Sequence, residues 1–351
     1  LVARWLPATV KFESITLAAK ARGPLTALMH EGTGRVTGLI AAKLQPLTAD
    51  VTWRGNGAAI TLKEARVQAG ASAITVAGTV DATGARLATA KLSQGGVVRL
   101  ALVHPAPVRW SPALAIGPLE FAGDDASLRV AATAGATGRL TIAARGIPSA
   151  WLADFVRVPG PDWRLVALAA EGDWDRGPAT FKADGELAVA LGAERLATVA
   201  LKVHGDPQGV QIEALRVAEG ATPIVTATGR LPVTLHPGDA AFVQIDQSGP
   251  LALHATTASN PAFWKKLAET TGLEFESPEA TAELSGTWAS PQGDVQARAT
   301  RFATDARRVK LPVSSVEALD LHVIADRAGL TLEKFSARIE GRIVDARVRA
   351  A

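Results

Sequence analysis

Residues 58–80 read AAITLKEARVQAGASAITVAGTV, and this stretch decides the fold class. Apolar and polar side chains alternate along residues 58–68 and again along 71–80, which is the period of two found in half-buried β-strands. The same alternation recurs along most of the chain, interrupted by turn residues at intervals of roughly 8 to 14 positions. About twenty strands joined mainly as hairpins follow from it, so the pattern predicts a mainly β chain whose antiparallel sheet has one apolar and one wetted face.

The alternation changes phase inside the first strand of this stretch. Apolar positions keep one parity up to Leu62 and take the other from Ala65 onward, and the same shift separates Ile212 from Leu215. A strand that keeps one face buried absorbs the odd residue as a β-bulge, which bends the strand and increases its twist. A tight turn at 63–64 is the alternative, but neither residue there is Gly, Asn or Pro. Repeated bulges therefore predict a sheet that curls into a trough.

Two short stretches have helical spacing, near residues 149–157 and 261–271. Each follows a candidate N-cap, Ser149 or Asn260, and each contains a tryptophan. Both are too short for a helical domain, so we expect two short helical inserts in the sheet. Degenerate repetition at about 115–120 residues accompanies them. No Ser/Gly linker or charge block divides the chain, which predicts one continuous repetitive segment over residues 1–351.

Composition and motifs narrow the classes of function. Lys and Arg number 37 against 34 Asp and Glu, and a net charge of +3 over 351 residues does not indicate a nucleic-acid-binding protein. The absence of cysteine excludes thiol nucleophiles, cysteine zinc sites, iron–sulfur clusters and disulfides. The six histidines lack metal-ligand spacing, and no HExxH or GxSxG motif occurs. We therefore expect a protein that is not an enzyme, with no catalytic residue, metal or cofactor.

The predicted apolar face is long, aliphatic and rich in small residues such as Ala73 and Ala77. Small side chains on a curled sheet leave its interior unfilled, which suggests a channel that holds an apolar ligand. A thin, tightly packed core is the alternative. This alternative corresponds to a structural or adhesin-like β-repeat surface protein with a filled core. The alternating aliphatic residues predicted to line a lipid groove are Ile60, Leu62, Val67, Ile74, Val76, Val210, Ile212, Val217, Leu330 and Leu332.

Three elements of the sequence resemble a known family. Residues 286–293 (GTWASPQG) resemble a strand followed by Gly-Thr and then Pro-Gln. Residues 223–233 (PIVTATGRLPV) resemble an apolar strand followed by Gly-x-Leu-Pro, and residues 165–174 resemble a strand that follows a short helix and ends in Gly-x-Trp. These elements are similar to those of the AsmA-like and TamB (translocation and assembly module) family of periplasmic β-groove proteins. The similarity is spread along the whole chain.

The resemblance implies both a fold and a function. The fold is an elongated curled antiparallel β-sheet, an open and taco-like β-groove, in the periplasm of a diderm bacterium and tethered to the inner membrane. The function is carriage of phospholipid or other acyl lipids from the inner to the outer membrane during outer-membrane biogenesis. An outer-membrane assembly protein is an implied partner. Because the sequence begins at Leu1 and its single methionine is Met29, the membrane anchor is expected outside this fragment of a larger protein.

Overall fold

The structure is a computed structural model that confirms the predicted mainly β, antiparallel fold class. Its described part contains 25 strands, a four-residue helix and further helical residues at 264–265, 268–269 and 271. Strands β17 (Val233–Leu235) and β18 (Val243–Ile245) form a separate two-stranded ribbon, and the other strands belong to one 23-stranded sheet. The residues that the structure describes are 11–24, 28–40, 44–157, 162–190, 196–239, 241–257, 264–265, 268–269, 271–304, 315–339 and 341–350.

The chain divides into two compact units, Leu1–Asp173 and Trp174–Ala351. Strand β12 (Trp163–Asp175) runs across the boundary between them. That residues 1–351 form one continuous functional segment stays a prediction.

The first unit begins as a regular meander. Its elements are β1 (Ser14–Arg22), β2 (Met29–Leu39), β3 (Leu47–Asn56), β4 (Ala59–Ala69), β5 (Ser72–Val80), β6 (Gly84–Gln94), β7 (Val97–Leu102), β8 (Ala106–Arg109), β9 (Leu114–Ala122), β10 (Ser127–Ala134), β11 (Thr137–Pro148) and α1 (Ala150–Ala153). Strands β1 to β6 pair in sequence order. Strand β6 then pairs with both β7 and β8, β9 pairs with β7, β8 and β10, and β10 pairs with β11.

The second unit follows the same hairpin principle. Its remaining strands are β13 (Thr180–Ala190), β14 (Leu196–Asp206), β15 (Gly209–Glu219), β16 (Thr222–Leu231), β19 (Ala252–Thr257), β20 (Leu273–Glu276), β21 (Glu279–Thr287), β22 (Ser290–Thr304), β23 (Ser315–Asp326), β24 (Gly329–Ile339) and β25 (Arg342–Ala350). Strands β13 to β16 pair in order, and β16 continues through β19 to β21. Strands β21 to β25 again pair in order, and β20 pairs with β22.

The two predicted bulges are confirmed at the positions where the sequence changes phase. Pairing slips between Leu62 and Ala65 of β4 and between Ile212 and Leu215 of β15. A tight turn at 63–64 is excluded, because both residues lie inside β4. Strand β24 slips in the same way between Leu332 and Phe335, and other strands slip as well, as between Val36 and Leu39 of β2. Each slip keeps the apolar side chains on one face while it bends the strand.

The helical predictions are confirmed in part. The stretch predicted as 149–157 forms only the single turn α1, and the Ser149 hydroxyl does not cap it. Ser149 Oγ instead accepts a hydrogen bond of 3.1 Å from the Trp163 amide, so its oxygen is engaged outside the helix. In the stretch predicted as 261–271, residues 264, 265, 268, 269 and 271 are helical, and the others lie outside the described residues.

Replacing Gly78 with alanine should destabilise the bulge in β4. Gly78 lies opposite Leu62, and a Cβ at Gly78 would collide with the carbonyl oxygen of Arg86, a backbone atom that cannot rotate away. We expect Gly78→Ala to lower the free energy of unfolding by about 1–3 kcal/mol in a urea titration. Gly135→Ala is the control, because its Cβ would meet nothing closer than 3.5 Å. Equal unfolding midpoints for the two variants would contradict the assigned register.

Candidate functional site

Cross-strand register assigns each strand residue to one of two sheet faces, because directly opposed residues of an antiparallel pair point the same way. In the first unit, Leu62 lies opposite Gly78 and Val67 lies opposite Ile74. The bulge before Ala65 restores the phase between these two pairs. The predicted lining residues of this unit therefore share one face: Ile60, Leu62, Val67, Ile74 and Val76.

This face stays apolar as the register is followed from strand to strand. Glycine and aliphatic side chains occupy nearly all of its positions from β1 to β11, with Trp53 and His30 as the main exceptions. We call it the apolar face of the first unit. Representative residues, in strand order, are Ile15, Leu17, Val36, Val51, Leu62, Val76, Leu92, Leu119, Val130 and Ile142.

The second unit has an apolar face of the same kind. Ile212 on β15 opposes Gly229 on β16, and successive register pairs lead from there to Leu330 on β24. The predicted lining residues of this unit are thus on one face: Val210, Ile212, Val217, Leu330 and Leu332. Their role in lining a lipid groove stays a prediction, although the structure brings together the members of each group.

The opposite face is polar and carries cross-strand ion pairs. Lys202 and Glu213 are 2.9 Å apart, and Lys334 and Asp320 are 2.6 Å apart. The hydrogen bond from Lys202, followed by that from His204, holds the pKa of the Glu213 carboxyl below its ordinary value. The hydrogen bond from Lys334 lowers the pKa of Asp320 in the same way. Both carboxylates are therefore charged at neutral pH, which keeps this face wetted.

The apolar faces are partly exposed to solvent in the described residues. Apolar sheet faces in sandwiches are covered by a second layer about 10 Å away. Here Leu17 is 69% exposed, Leu330 is 54% exposed and Val348 is 55% exposed. Ile74 is exposed as well, and the other predicted lining residues are half-buried. None of these side chains is fully buried, and the choice between an open groove and a tightly packed core stays a prediction.

One segment covers part of the first apolar face. Residues 149–156, which we call the strap, bring Phe155 against Leu47 and Ala69 and bring Trp151 into a second buried cluster. The Phe155 carbonyl accepts a hydrogen bond of 2.9 Å from the Gln45 amide. Further polar contacts fix the strap: Ser72 Oγ donates to Asp154 Oδ2 at 2.7 Å, and Gln94 Nε2 donates to the Ala150 carbonyl at 3.1 Å.

The strap changes the environment of one predicted lining residue. Val67 packs against the cluster that contains Phe155, so it lies under the strap rather than on the open part of the face. The second unit has a related aromatic contact, in which the ring of Trp264 meets Phe275 edge-on at 5.9 Å and Phe275 contacts Phe302 at 5.1 Å. The helical spacing in the sequence marked both tryptophans but gave no sign that they pack on apolar side chains.

Trp53 is a residue of the apolar face that sequence reasoning missed. Its Nε1–H donates to His30 Nδ1 at 3.2 Å, so the His30 proton is on Nε2, which lies 3.2 Å from the Gly57 carbonyl oxygen. A Cβ at Gly32 would collide with the Trp53 ring, so this glycine makes the space in which the ring lies. The available signal was the Gly32-x-Gly34 pattern inside a strand, which indicates close approach.

Titratable side chains of the described residues form pairs rather than larger clusters of metal-ligating groups. No group of three or more His, Asp or Glu among them could hold a metal ion. Several histidines are paired with single carboxylates on the polar side, such as His322 with Asp294 at 3.1 Å. The helical residues in the described part include no helix with the length and hydropathy needed to cross a membrane. Comparison with protein-family models, curated proteins and solved structures finds no match to the chain.

Removing the aromatic anchors of the strap should destabilise the first unit. Trp151 and Phe155 are both buried, so we expect Trp151→Ala and Phe155→Ala each to lower the free energy of unfolding by about 3–5 kcal/mol. Leu152 lies between them but is 37% exposed, and Leu152→Ala should change it by less than about 0.5 kcal/mol. Urea unfolding followed by tryptophan fluorescence and circular dichroism measures the difference. A Leu152 effect as large as that of Phe155 would overturn the assigned packing.

Proposed function

We propose that this chain is a non-enzymatic carrier of acyl lipids whose apolar sheet face holds the hydrocarbon chains. The observation that carries the proposal is the amphipathic sheet, in which one face is aliphatic and partly exposed while the other carries ion pairs. A large exposed apolar surface on a folded protein marks an interaction site. Scattered exposed side chains would need no such explanation, but these residues are contiguous through the register.

The energetics favour a flexible hydrocarbon as the occupant. Burial of each methylene group contributes about 0.8 kcal/mol, so a sixteen-carbon chain could gain on the order of 10 kcal/mol on a dry apolar face. An extended chain also matches a surface that is long and aliphatic. The apolar face has few polar groups that would fix the orientation of a small polar ligand, because its register positions are mainly Ala, Val, Leu, Ile and Gly.

The cellular setting belongs to the same proposal and rests on the resemblance of residues 223–233 and 286–293 to AsmA-like and TamB elements. In this setting the protein acts in the periplasm, tethered to the inner membrane, and carries phospholipid toward the outer membrane. An outer-membrane assembly protein is the proposed protein partner. The competing function is a structural or adhesin-like β-repeat protein, which would require the apolar face to be filled.

The substitution Ile212→Asp separates the two functions. On an open face the charge can reach water at the margin, so the fold should survive while bound acyl lipid is lost. In a filled core the same charge would be buried without a partner and should unfold the unit. Gln211→Asp is the matched control, because residue 211 lies on the opposite face across from Arg230.

Native mass spectrometry gives the lipid content and thermal melting gives the stability of both variants. We expect Ile212→Asp to keep a cooperative melting transition and to lose co-purified phospholipid, while Gln211→Asp keeps both. Collapse of the melting transition in Ile212→Asp alone would support the filled core. Retention of wild-type lipid content in a folded Ile212→Asp protein would contradict acyl binding at this face.

A further inference from the structure

A basic cavity lies at one end of strands β1 to β3. Its volume is about 260 Å³, and its lining includes Lys20, Arg22, Glu31 and Arg54. Register places Lys20 opposite Glu31 and Glu31 opposite Arg54, so these three side chains form a row on the polar face. Arg22 is the last residue of β1 and lies two positions further along the same face. The cavity is therefore at the rim of the sheet, where the strands end.

The charge of this cavity is not balanced. Three cations face one carboxylate, and within the described residues none of the four makes an ion pair shorter than 4.0 Å. Some basic side chains elsewhere on the polar face do meet a carboxylate, as Arg35 meets Asp50 at 3.6 Å. A cluster of uncompensated cations around a concave space favours an anionic ligand, and arginine suits the planar arrangement of phosphate oxygens.

His30 also lines the cavity, and both of its ring nitrogens already have partners in the protein. Its Nδ1 accepts the hydrogen bond from Trp53, and its Nε2 lies 3.2 Å from the Gly57 carbonyl oxygen. The His30 ring lines the cavity and contacts Trp53, which belongs to the apolar face. The anionic ligand would therefore be held by Lys20, Arg22 and Arg54.

A second cavity adjoins the first and has an apolar side. Its volume is about 550 Å³, it shares Lys20 and Glu31 with the basic cavity, and its lining also includes Leu17 and Trp53. Leu17 and Trp53 belong to the apolar face of the first unit. A basic pocket next to aliphatic and aromatic walls matches the boundary between the headgroup and the acyl chains of a lipid.

We propose that the basic cavity binds a phosphate group, supplied by a phospholipid headgroup or by free phosphate. The phospholipid source rests on the proposed function, whereas the phosphate site itself does not. In that arrangement the acyl chains lie on the apolar face and the phosphate is held at the rim by Arg54, Arg22 and Lys20. This would fix the position at which a lipid enters or rests on the first unit.

The test is calorimetric titration of the purified chain with inorganic phosphate and, separately, with short-chain dihexanoyl phosphatidylglycerol below its micelle concentration. We expect Arg54→Gln and Lys20→Gln each to weaken both affinities about tenfold, because each removes a charge-assisted hydrogen bond. Glu31→Gln should strengthen binding, because it removes the negative charge from the lining of the cavity. Partial unfolding would weaken binding, so a stronger affinity cannot be explained by it. Arg66→Gln is the control, because Arg66 is exposed on the same polar face and lines neither cavity.

The outcomes distinguish the source of the phosphate group, and they separate the phosphate site from the proposed binding of acyl chains. Phosphatidylglycerol binding at least tenfold tighter than inorganic phosphate assigns the lipid headgroup, and equal affinities assign free phosphate. Absence of binding in the wild-type chain, or an Arg66→Gln effect equal to that of Arg54→Gln, overturns the phosphate site. That failure leaves acyl binding intact if lipid still co-purifies with the wild type and is lost in Ile212→Asp.

Discussion

Backbone hydrogen bonds between antiparallel neighbours hold the described parts of this molecule together, because few large side chains are buried deeply enough to form a core. Buried clusters in the first unit are small and involve the strap, and many buried apolar positions are alanines. A sheet of this kind depends on register, since a slip by one residue would exchange its apolar and polar faces. The register of the paired strands therefore determines both the stability of each unit and the surface that a ligand meets.

The bulges and the strap show how the chain keeps one face apolar along strands that bend. Each slip, as between Leu62 and Ala65, returns the aliphatic side chains to the same side after an odd residue. The same device recurs at Ile212 and at Leu332. The strap then covers one end of the apolar face in the first unit through Trp151 and Phe155, and leaves positions such as Leu17 open.

Local pattern was enough to predict the strand alternation, the two bulges and the sharing of a face by Ile60 and Ile74, because these depend on period and parity within a strand. The same pattern predicted a helix longer than α1, because the hydroxyl of Ser149 accepts a hydrogen bond from the Trp163 amide instead of capping the helix. The Ser72–Asp154 contact and the row of Lys20, Glu31 and Arg54 could not be predicted. The first depends on a contact between segments 82 residues apart, and the second depends on the exact register of three neighbouring strands, which composition and periodicity do not encode.

The central claim is that acyl chains lie on the apolar face, and a cysteine scan of β15 tests it most directly, because the native chain contains no cysteine. Single cysteines from 210 to 217 would carry a bimane label, and quenching by a phospholipid with a nitroxide on its acyl chain would be measured. The account predicts strong quenching at 210, 212, 215 and 217 and weak quenching at 211 and 216, with the period interrupted at the bulge. Uniform quenching along the strand, or none at any position, would contradict it.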